Sequence, residues 1–264
     1  MQRIVFAESW SDFFAEFNLK SFEDFFENLE AKTIGVNKKR NVSSFSLGPG
    51  SNKKKFFMKR FSHPHFKDML FSWRNIGRPC SQGRYEWENT RLLLDNSIET
   101  YHPVCFGEKI TCCIENSSFF ITEELKSPCL TDFIRKNWDT FQQQQKEKII
   151  NGLATFIRKI HDLNICLPDL YVWHIYITEK AGEYEYAVID LHRMSRNVTN
   201  RRLKIKNLGR MHHSMLDRYF DEELKQLLVE SYAADGRHGD VTKLLSQVKR
   251  YSDAVSAKRR QVQY

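Results

Sequence analysis

The chain has 264 residues, 41% of them hydrophobic, which is enough to bury a sizeable core and fits one domain of two lobes. With 41 Lys and Arg against 33 Asp and Glu, the net charge is +8 and the pI about 9.1. That balance favours an anionic partner such as nucleotide, polyphosphate, nucleic acid or acidic lipid headgroups. The six cysteines (80, 105, 112, 113, 129 and 166) are scattered apart from one adjacent pair, which excludes a disulfide or zinc framework and fits reduced thiols in the cytosol. Nowhere do about 18 uncharged apolar residues follow one another, and MQRIVFAESWSDFF carries acidic residues early. The expectation is neither signal peptide nor transmembrane helix, so that any membrane contact is peripheral.

Residues 8 to 30 are rich in Phe, with Phe13, Phe14 and Phe17 on one helical face and Ser21 as a capping candidate before SFEDFFENLE. Two readings stay open for them: packing against the main body, or an interfacial membrane contact. Residues 32 to 61 then alternate β-prone runs with turns: TIGV, NVSSFSL, the turn Gly48-Pro49-Gly50 and FFMKRF, an antiparallel meander. Alternation puts Lys59 on one strand face with Phe57 and Phe61, so a basic residue shares a face with apolar neighbours. Residues 63 to 83 mix His, Pro and Gly with a short helical piece and read as a loop or insertion.

RYEWENTRLLLDN follows as a helix that carries Glu86 and Glu88, and residues 103 to 122 supply two or three strands. From there the pattern turns helical. LTDFIRKNW begins with Thr131 as a cap candidate, and EKIINGLATFIRKIHDLN places Ile149, Ile150, Leu153, Phe156, Ile157 and Ile160 at helical spacing. Residues 160 to 193 come next, with HIYI and YAVID as the arms of a hairpin and His174 on its first strand. Asp169 and Asp190 stand at the hairpin's ends, where two carboxylates can serve phosphoryl transfer, one orienting a hydroxyl and one holding a metal on phosphates. A basic run, Arg193, Arg196, Arg201, Arg202, Lys204, Lys206 and Arg210, precedes two further helices. It reads either as a solvated face or as a dock for an anionic glycolipid.

FFMKRF, YEW, FFITEEL, IHDLNICLPDLYVWHIYI and VIDLHRM together resemble the protein-kinase superfamily. Within it they resemble the lipopolysaccharide core kinases, the group of Kdo kinases and WaaP-type heptose kinases. The resemblance runs from about residue 36 to about residue 232. In that family the catalytic segment resembles H-x-x-G-[IV]-x-H-R-D-x-Y-x-x-H, which Asp169, Tyr171 and His174 match. Ile189 to Arg193 match its I-D-L-H-R metal segment. The resemblance implies an α+β, two-lobed protein-kinase-like fold in a single domain. A β-rich N-lobe would span about 1–122, a hinge about 123–127 and a helical C-lobe about 128–264.

It further implies that Lys59 binds nucleotide phosphates and that Glu86 is its ion-pair partner, in preference to Glu88. Glu123, Glu124 and Leu125 would lie at the hinge against adenine. Asp169 would be catalytic, while Asp190 and His174 would hold Mg²⁺. The implied activity is ATP-dependent phosphorylation of a heptose or Kdo hydroxyl of the lipopolysaccharide inner core, at the inner face of the cytoplasmic membrane. The expected partners are the anionic glycolipid acceptor and the membrane surface, with no nucleic acid; the sequence leaves the oligomeric state open.

The chain departs from the pattern at four places. Leu167-Pro168 stands where His-Arg is usual before Asp169, and Asn37 to Asn41 replace a glycine-rich loop, so that charge rather than close backbone approach would hold phosphates. Asn164 replaces a glycine before Ile165, and Asn207 replaces an aspartate. These departures motivate a second reading, a catalytically silent kinase-like binding module.

Overall fold

Alternating apolar residues in the first part of the chain build one antiparallel sheet. A computed structural model describes residues 1–264 apart from Lys38 and His238 and the side chain of Asn37. It divides into two compact units, Met1–Leu125 and Lys126–Tyr264.

The first unit begins with a strand that the composition did not announce, β1 (Gln2–Phe6), followed by the short helix α1 (Trp10–Ala15) and a wide helical turn over Asp24–Asn28. The meander is β2 (Lys32–Asn37), β3 (Arg40–Leu47) and β4 (Lys54–Ser62). Two helices follow, α2 (Phe66–Ile76) and α3 (Gln82–Asp95), then the two-residue strand β5 (Glu99–Thr100) and the pair β6 (Pro103–Thr111) and β7 (Ile114–Glu123). The order across the six-stranded sheet is β1-β6-β7-β4-β3-β2, with every neighbouring pair antiparallel.

One face of this sheet is covered by the Phe-rich N-terminus. Phe14, Phe22 and Phe25 are buried in a single cluster with Phe56, Met58, Val104, Phe119 and Ile121. Burial of one such side chain contributes about 1.5–3 kcal/mol, so packing, not a membrane, accounts for these aromatics. Arg60, on the same strand face as Phe56 and Met58, ties the segment down by donating to the carbonyls of Phe25 and Leu29 at 3.0 and 3.1 Å. Ser21 caps the helical backbone that starts at Phe22 and runs into the wide turn: its hydroxyl accepts from the Asp24 amide at 3.2 Å, and Asp24 Oδ2 accepts from the Ser21 amide at 2.7 Å.

Residues 63 to 83 contain a full helix rather than a loop with a short helical piece. Pro64 precedes α2, and Gly77, in the left-handed conformation at φ 82°, ends it. Residues 103 to 123 hold two strands, because Cys112 and Cys113 both adopt positive φ and close a tight hairpin.

The second unit is built on α4 (Leu130–Asn137) and α5 (Gln143–Asp162). The residue capping α4 is Cys129, and Thr131 lies inside the helix, so the expected cap is displaced by two positions. Helix α5 buries Ile149, Ile150, Leu153, Phe156, Ile157 and Ile160, the face its spacing predicts. Strands β8 (Ile175–Lys180) and β9 (Glu183–Val188) form the hairpin, followed by α6 (Arg201–Ser214), α7 (Glu222–Ala233) and α8 (Val241–Ser256). Helix α7 packs on α5, and α8 on α6.

Candidate active site

In the first unit, β4 pairs Lys59 with Val42 on one side and Phe120 on the other. Alternation aims its side chain away from the Phe-rich cluster, and its Nζ lies 2.7 Å from Glu86 Oε2. Glu86 is fully buried, and the Tyr101 hydroxyl donates to the same oxygen at 2.9 Å. Oε1 is buried with no hydrogen-bond partner among the described residues, a site for a further donor or cation. Glu88, two positions on and therefore on another helix face, pairs with Arg78 at 3.0 Å and Arg84 at 3.4 Å.

The N-terminus of α3 is clamped to the sheet. Ser81 accepts from the Arg84 amide at 3.2 Å and donates to Glu108 Oε2 at 2.6 Å; Glu108 also receives Arg3 at 2.6 Å. The Glu115 carboxyl accepts from the Gln82 amide at 2.9 Å and from the Ser118 hydroxyl at 2.5 Å, and Ser118 Oγ accepts from the Gly83 amide at 2.9 Å. Two carboxyl groups at a helix N-terminus complement its dipole. Burial pushes the Glu115 carboxyl up to about 7. A Cβ on Gly83 would come within 2.5 Å of the Phe119 carbonyl, so only glycine permits this approach of helix to strand. Nothing in the local pattern of residues 103 to 122 signalled that Glu108 and Glu115 meet the helix bearing Glu86.

At the end of this unit the Glu123 amide donates to the His102 carbonyl at 3.0 Å and the Glu124 amide to the Lys55 carbonyl at 3.0 Å. Lys55 Nζ also holds Glu124 Oε1 at 2.6 Å, while Leu125 is half-buried. Of the residues expected to cover phosphates, Lys38 and the Asn37 side chain lie outside the described residues. Lys39 Nζ donates to His65 Nδ1 at 3.2 Å.

In the second unit, Asp169 and Asp190 sit on irregular backbone joined through His174. His174 is in a short helical turn, Val172–His174, rather than on the strand. Its Nδ1–H donates to the Asp169 carbonyl at 2.7 Å, and its own carbonyl accepts from the Ile189 amide at 2.9 Å. The committed Nδ1–H leaves Nε2 as the lone-pair nitrogen of the neutral ring. Asp190 adopts left-handed backbone (φ 65°, ψ 64°), a conformation aspartate tolerates and functional loops often hold. His192 Nδ1 donates to its Oδ1 at 2.8 Å.

No arginine precedes Asp169, but Arg193 brings one: its Nη1 is 3.5 Å from Asp169 Oδ1, with half of the arginine side chain exposed. The loop is held instead by Asn207, whose buried Oδ1 accepts from the Leu167 amide at 2.7 Å and from His161 Nε2–H at 3.3 Å. His161 Nδ1 in turn accepts from the Tyr232 hydroxyl at 2.8 Å, so this histidine packs. Ser214 fixes the other end, accepting from the Val172 amide at 2.9 Å. The basic run divides. Arg193, Arg201 and Arg202 are exposed, whereas Lys204 is spent on the His161 carbonyl at 2.6 Å and Lys206 lies over the Tyr251 ring at 5.5 Å.

Residues 24–232 match the model of the lipopolysaccharide kinase (Kdo/WaaP) family. The chain belongs to that family. Among characterised members it is similar to the lipopolysaccharide core heptose(I) kinase WaaP of Escherichia coli, 28% identical over 171 residues that cover 62% of this chain and 64% of that one. The WaaP of Pseudomonas aeruginosa is 27% identical over 146 residues, 53% and 54% of the two chains. The chain thus spans less than two thirds of the length of these WaaP relatives. A solved structure, WaaP in complex with acyl carrier protein, superposes with a TM-score of 0.72 over 96% of this chain and 99% of that one, at 20% identity. The shared fold is α+β and kinase-like.

Proposed function

We propose that this chain is an ATP-dependent kinase that phosphorylates a heptose or Kdo hydroxyl of the lipopolysaccharide inner core. The observation that carries the reading is the buried Lys59–Glu86 pair, found in a family member whose Asp169 and Asp190 flank a single histidine-tied hairpin. Lys59, oriented by Glu86 and Tyr101, places its ammonium on nucleotide phosphate, and backbone groups of Glu123 to Leu125 meet adenine. Asp169 accepts the proton of the sugar hydroxyl as that oxygen bonds to the γ-phosphorus and the bond to ADP breaks. Arg193 keeps the Asp169 carboxylate oriented.

The donor chemistry fits Mg²⁺: Asp190 offers a hard oxygen, and bound there the ion would neutralise phosphate charge. His174 offers its Nε2 nitrogen, which Mg²⁺ takes less readily than oxygen, so it would be the weaker of the two groups to hold the ion. Asn207 supplies the loop anchorage that Leu167-Pro168 lacks, which removes the main motive for a silent module. Arg193, Arg201 and Arg202 are the exposed members of the basic run and would meet the anionic glycolipid. The setting is the inner face of the cytoplasmic membrane, visited peripherally. Among the described residues, no helix is long and apolar enough to cross a membrane.

Transfer from labelled ATP to a lipopolysaccharide core acceptor should be abolished by Asp169→Ala and by Asp190→Ala. Unchanged transfer in both variants overturns the proposal. Nucleotide with Mg²⁺ should raise the Tm of the wild-type chain, and no response would point to a silent module.

A further inference from the structure

Helix α2 turns its apolar stripe outward. Its inner side is fixed to α3: the buried Ser72 hydroxyl donates to the Asp68 carbonyl at 2.7 Å, and Gln82 Nε2 donates to Ser72 Oγ at 3.0 Å and to the Asp68 carbonyl at 3.2 Å. Phe71 meets the Tyr85 ring edge-on at 5.9 Å. The opposite side carries Phe66, Leu70 and Trp73, which remain 67%, 38% and 50% exposed. At about 100° per residue, these three positions fall within about 60° of arc, one continuous strip along the helix. Lys67 and Arg74, both exposed, lie about 80–100° round the helix on one flank. The only carboxylate of α2, Asp68, is on the inner side, so every exposed residue of the helix is apolar or cationic.

We propose that this face of α2 docks the protein on an anionic phospholipid surface. A large aromatic, a leucine and an indole aligned on one side, with flexible cations alongside, is the arrangement of a helix lying in a bilayer interface. The apolar strip enters the acyl boundary while Lys67 and Arg74 reach the phosphates. The absence of exposed carboxylate from α2 sets the sign of the partner, and the hydrogen bonds from Ser72 and Gln82 make the helix a fixed plate rather than a loose arm. The inference deepens the membrane-face part of the proposed function and names the element that makes the contact; it does not depend on phosphotransfer.

The wild-type chain should co-sediment with phosphatidylglycerol vesicles and at least tenfold more weakly with phosphatidylcholine vesicles. Phe66→Ser/Leu70→Ser/Trp73→Ser should weaken binding to the anionic vesicles at least tenfold, and Lys67→Gln/Arg74→Gln should remove the preference for them. Trp73→Phe should keep binding but lose most of the fluorescence quenching given by brominated lipid, a readout available even where the triple variant does not fold. Vesicle binding by the triple variant equal to wild type, or quenching unchanged in Trp73→Phe, overturns the proposal. So does a triple variant that loses self-association while still binding vesicles, which would assign the face to a second copy of the chain. The nucleotide-dependent rise in Tm, measured on the same samples, separates the two readings: its absence with intact vesicle binding sinks the kinase alone, and its presence without vesicle binding sinks the docking face alone.

Discussion

The unit Met1–Leu125 buries both partners of its charged site pair, or nearly so, whereas in the unit Lys126–Tyr264 the mostly buried acid meets a half-exposed arginine and the groups buried behind it are neutral. Lys59 and Glu86 show 16% and 0% of their side chains, while Arg193 and Asp169 show 53% and 15%. Behind Lys59 and Glu86 stand two more buried carboxyl groups, Glu108 and Glu115; behind Asp169 stand Asn207, His161, Tyr232 and Ser214. A buried ion pair ties a functional residue to stability, because either partner alone is an uncompensated charge. A carboxylate whose charged partner is a half-exposed arginine, on a loop anchored through a backbone amide, is more separable from stability. The two units should therefore answer mutation and pH differently.

The largest effect should come from Glu86→Ala, which removes the buried carboxylate that both the Lys59 ammonium and the Tyr101 hydroxyl donate to. A loss of about 3–5 kcal/mol, read from the urea midpoint, is expected. A loss below about 1 kcal/mol would show that the pair is not an internal one.

Next in size is pH. Burial, slightly reinforced by Glu108 and Asp68, raises the Glu115 carboxyl from 4.5 to about 7 against its hydrogen bonds from Ser118 and Gln82. Its contribution is present in full below 4.5 and lost as pH rises through about 7, a change of about 3 kcal/mol. His212 runs the other way: burial, helped by Lys225 and Lys249 and opposed by Glu222 and Asp253, lowers it from 6.5 to about 4. Its contribution is present above 6.5 and lost as pH falls through about 4, again about 3 kcal/mol. Hydrogen exchange at pH 5 and pH 7 should show protection in the core of the first unit falling with rising pH and that of the second rising. Glu115→Gln and His212→Asn should each flatten only one of these slopes.

Asn207→Ala should cost about 1–3 kcal/mol by leaving the Leu167 amide unpaired in the interior. It should slow transfer by loosening the loop that carries Asp169, and Tm and single-turnover rate together test this. The smallest stability effect belongs to Asp169→Asn. Its contact with Arg193 is partly solvated and contributes about 0–1 kcal/mol, so Tm should barely move while transfer disappears. A large fall in Tm would erase the contrast between the units.

Local patterning made much of the chain legible. The spacing of Ile149 to Ile160 announced the buried face of α5 and alternation placed Lys59 away from Met58, while the choice of Glu86 over Glu88 came from the family resemblance of YEW and not from spacing. Local readings failed where a second element supplied the reason for a residue. The stretch around α2 looked like a loop because His, Pro and Gly crowd its flanks, although Phe66, Leu70 and Trp73 recur at helical spacing within it. His174 looked like a strand residue because its neighbours are apolar, yet it folds into a turn to reach the Asp169 carbonyl.

By itself, the sequence determined the α+β class, the family and the order of chemically capable residues, because these reside in periodicities of 2 and 3.6 and in short contiguous motifs. Only the tertiary structure decided that Arg193 reaches Asp169 and that Asn207 holds Leu167 from 40 positions away. It likewise decided that Glu108 and Glu115 grip the start of α3 and that Phe66, Leu70 and Trp73 face outward. These are pairings and exposures set by how distant segments pack, and no local period encodes the partner that a side chain meets across such a separation.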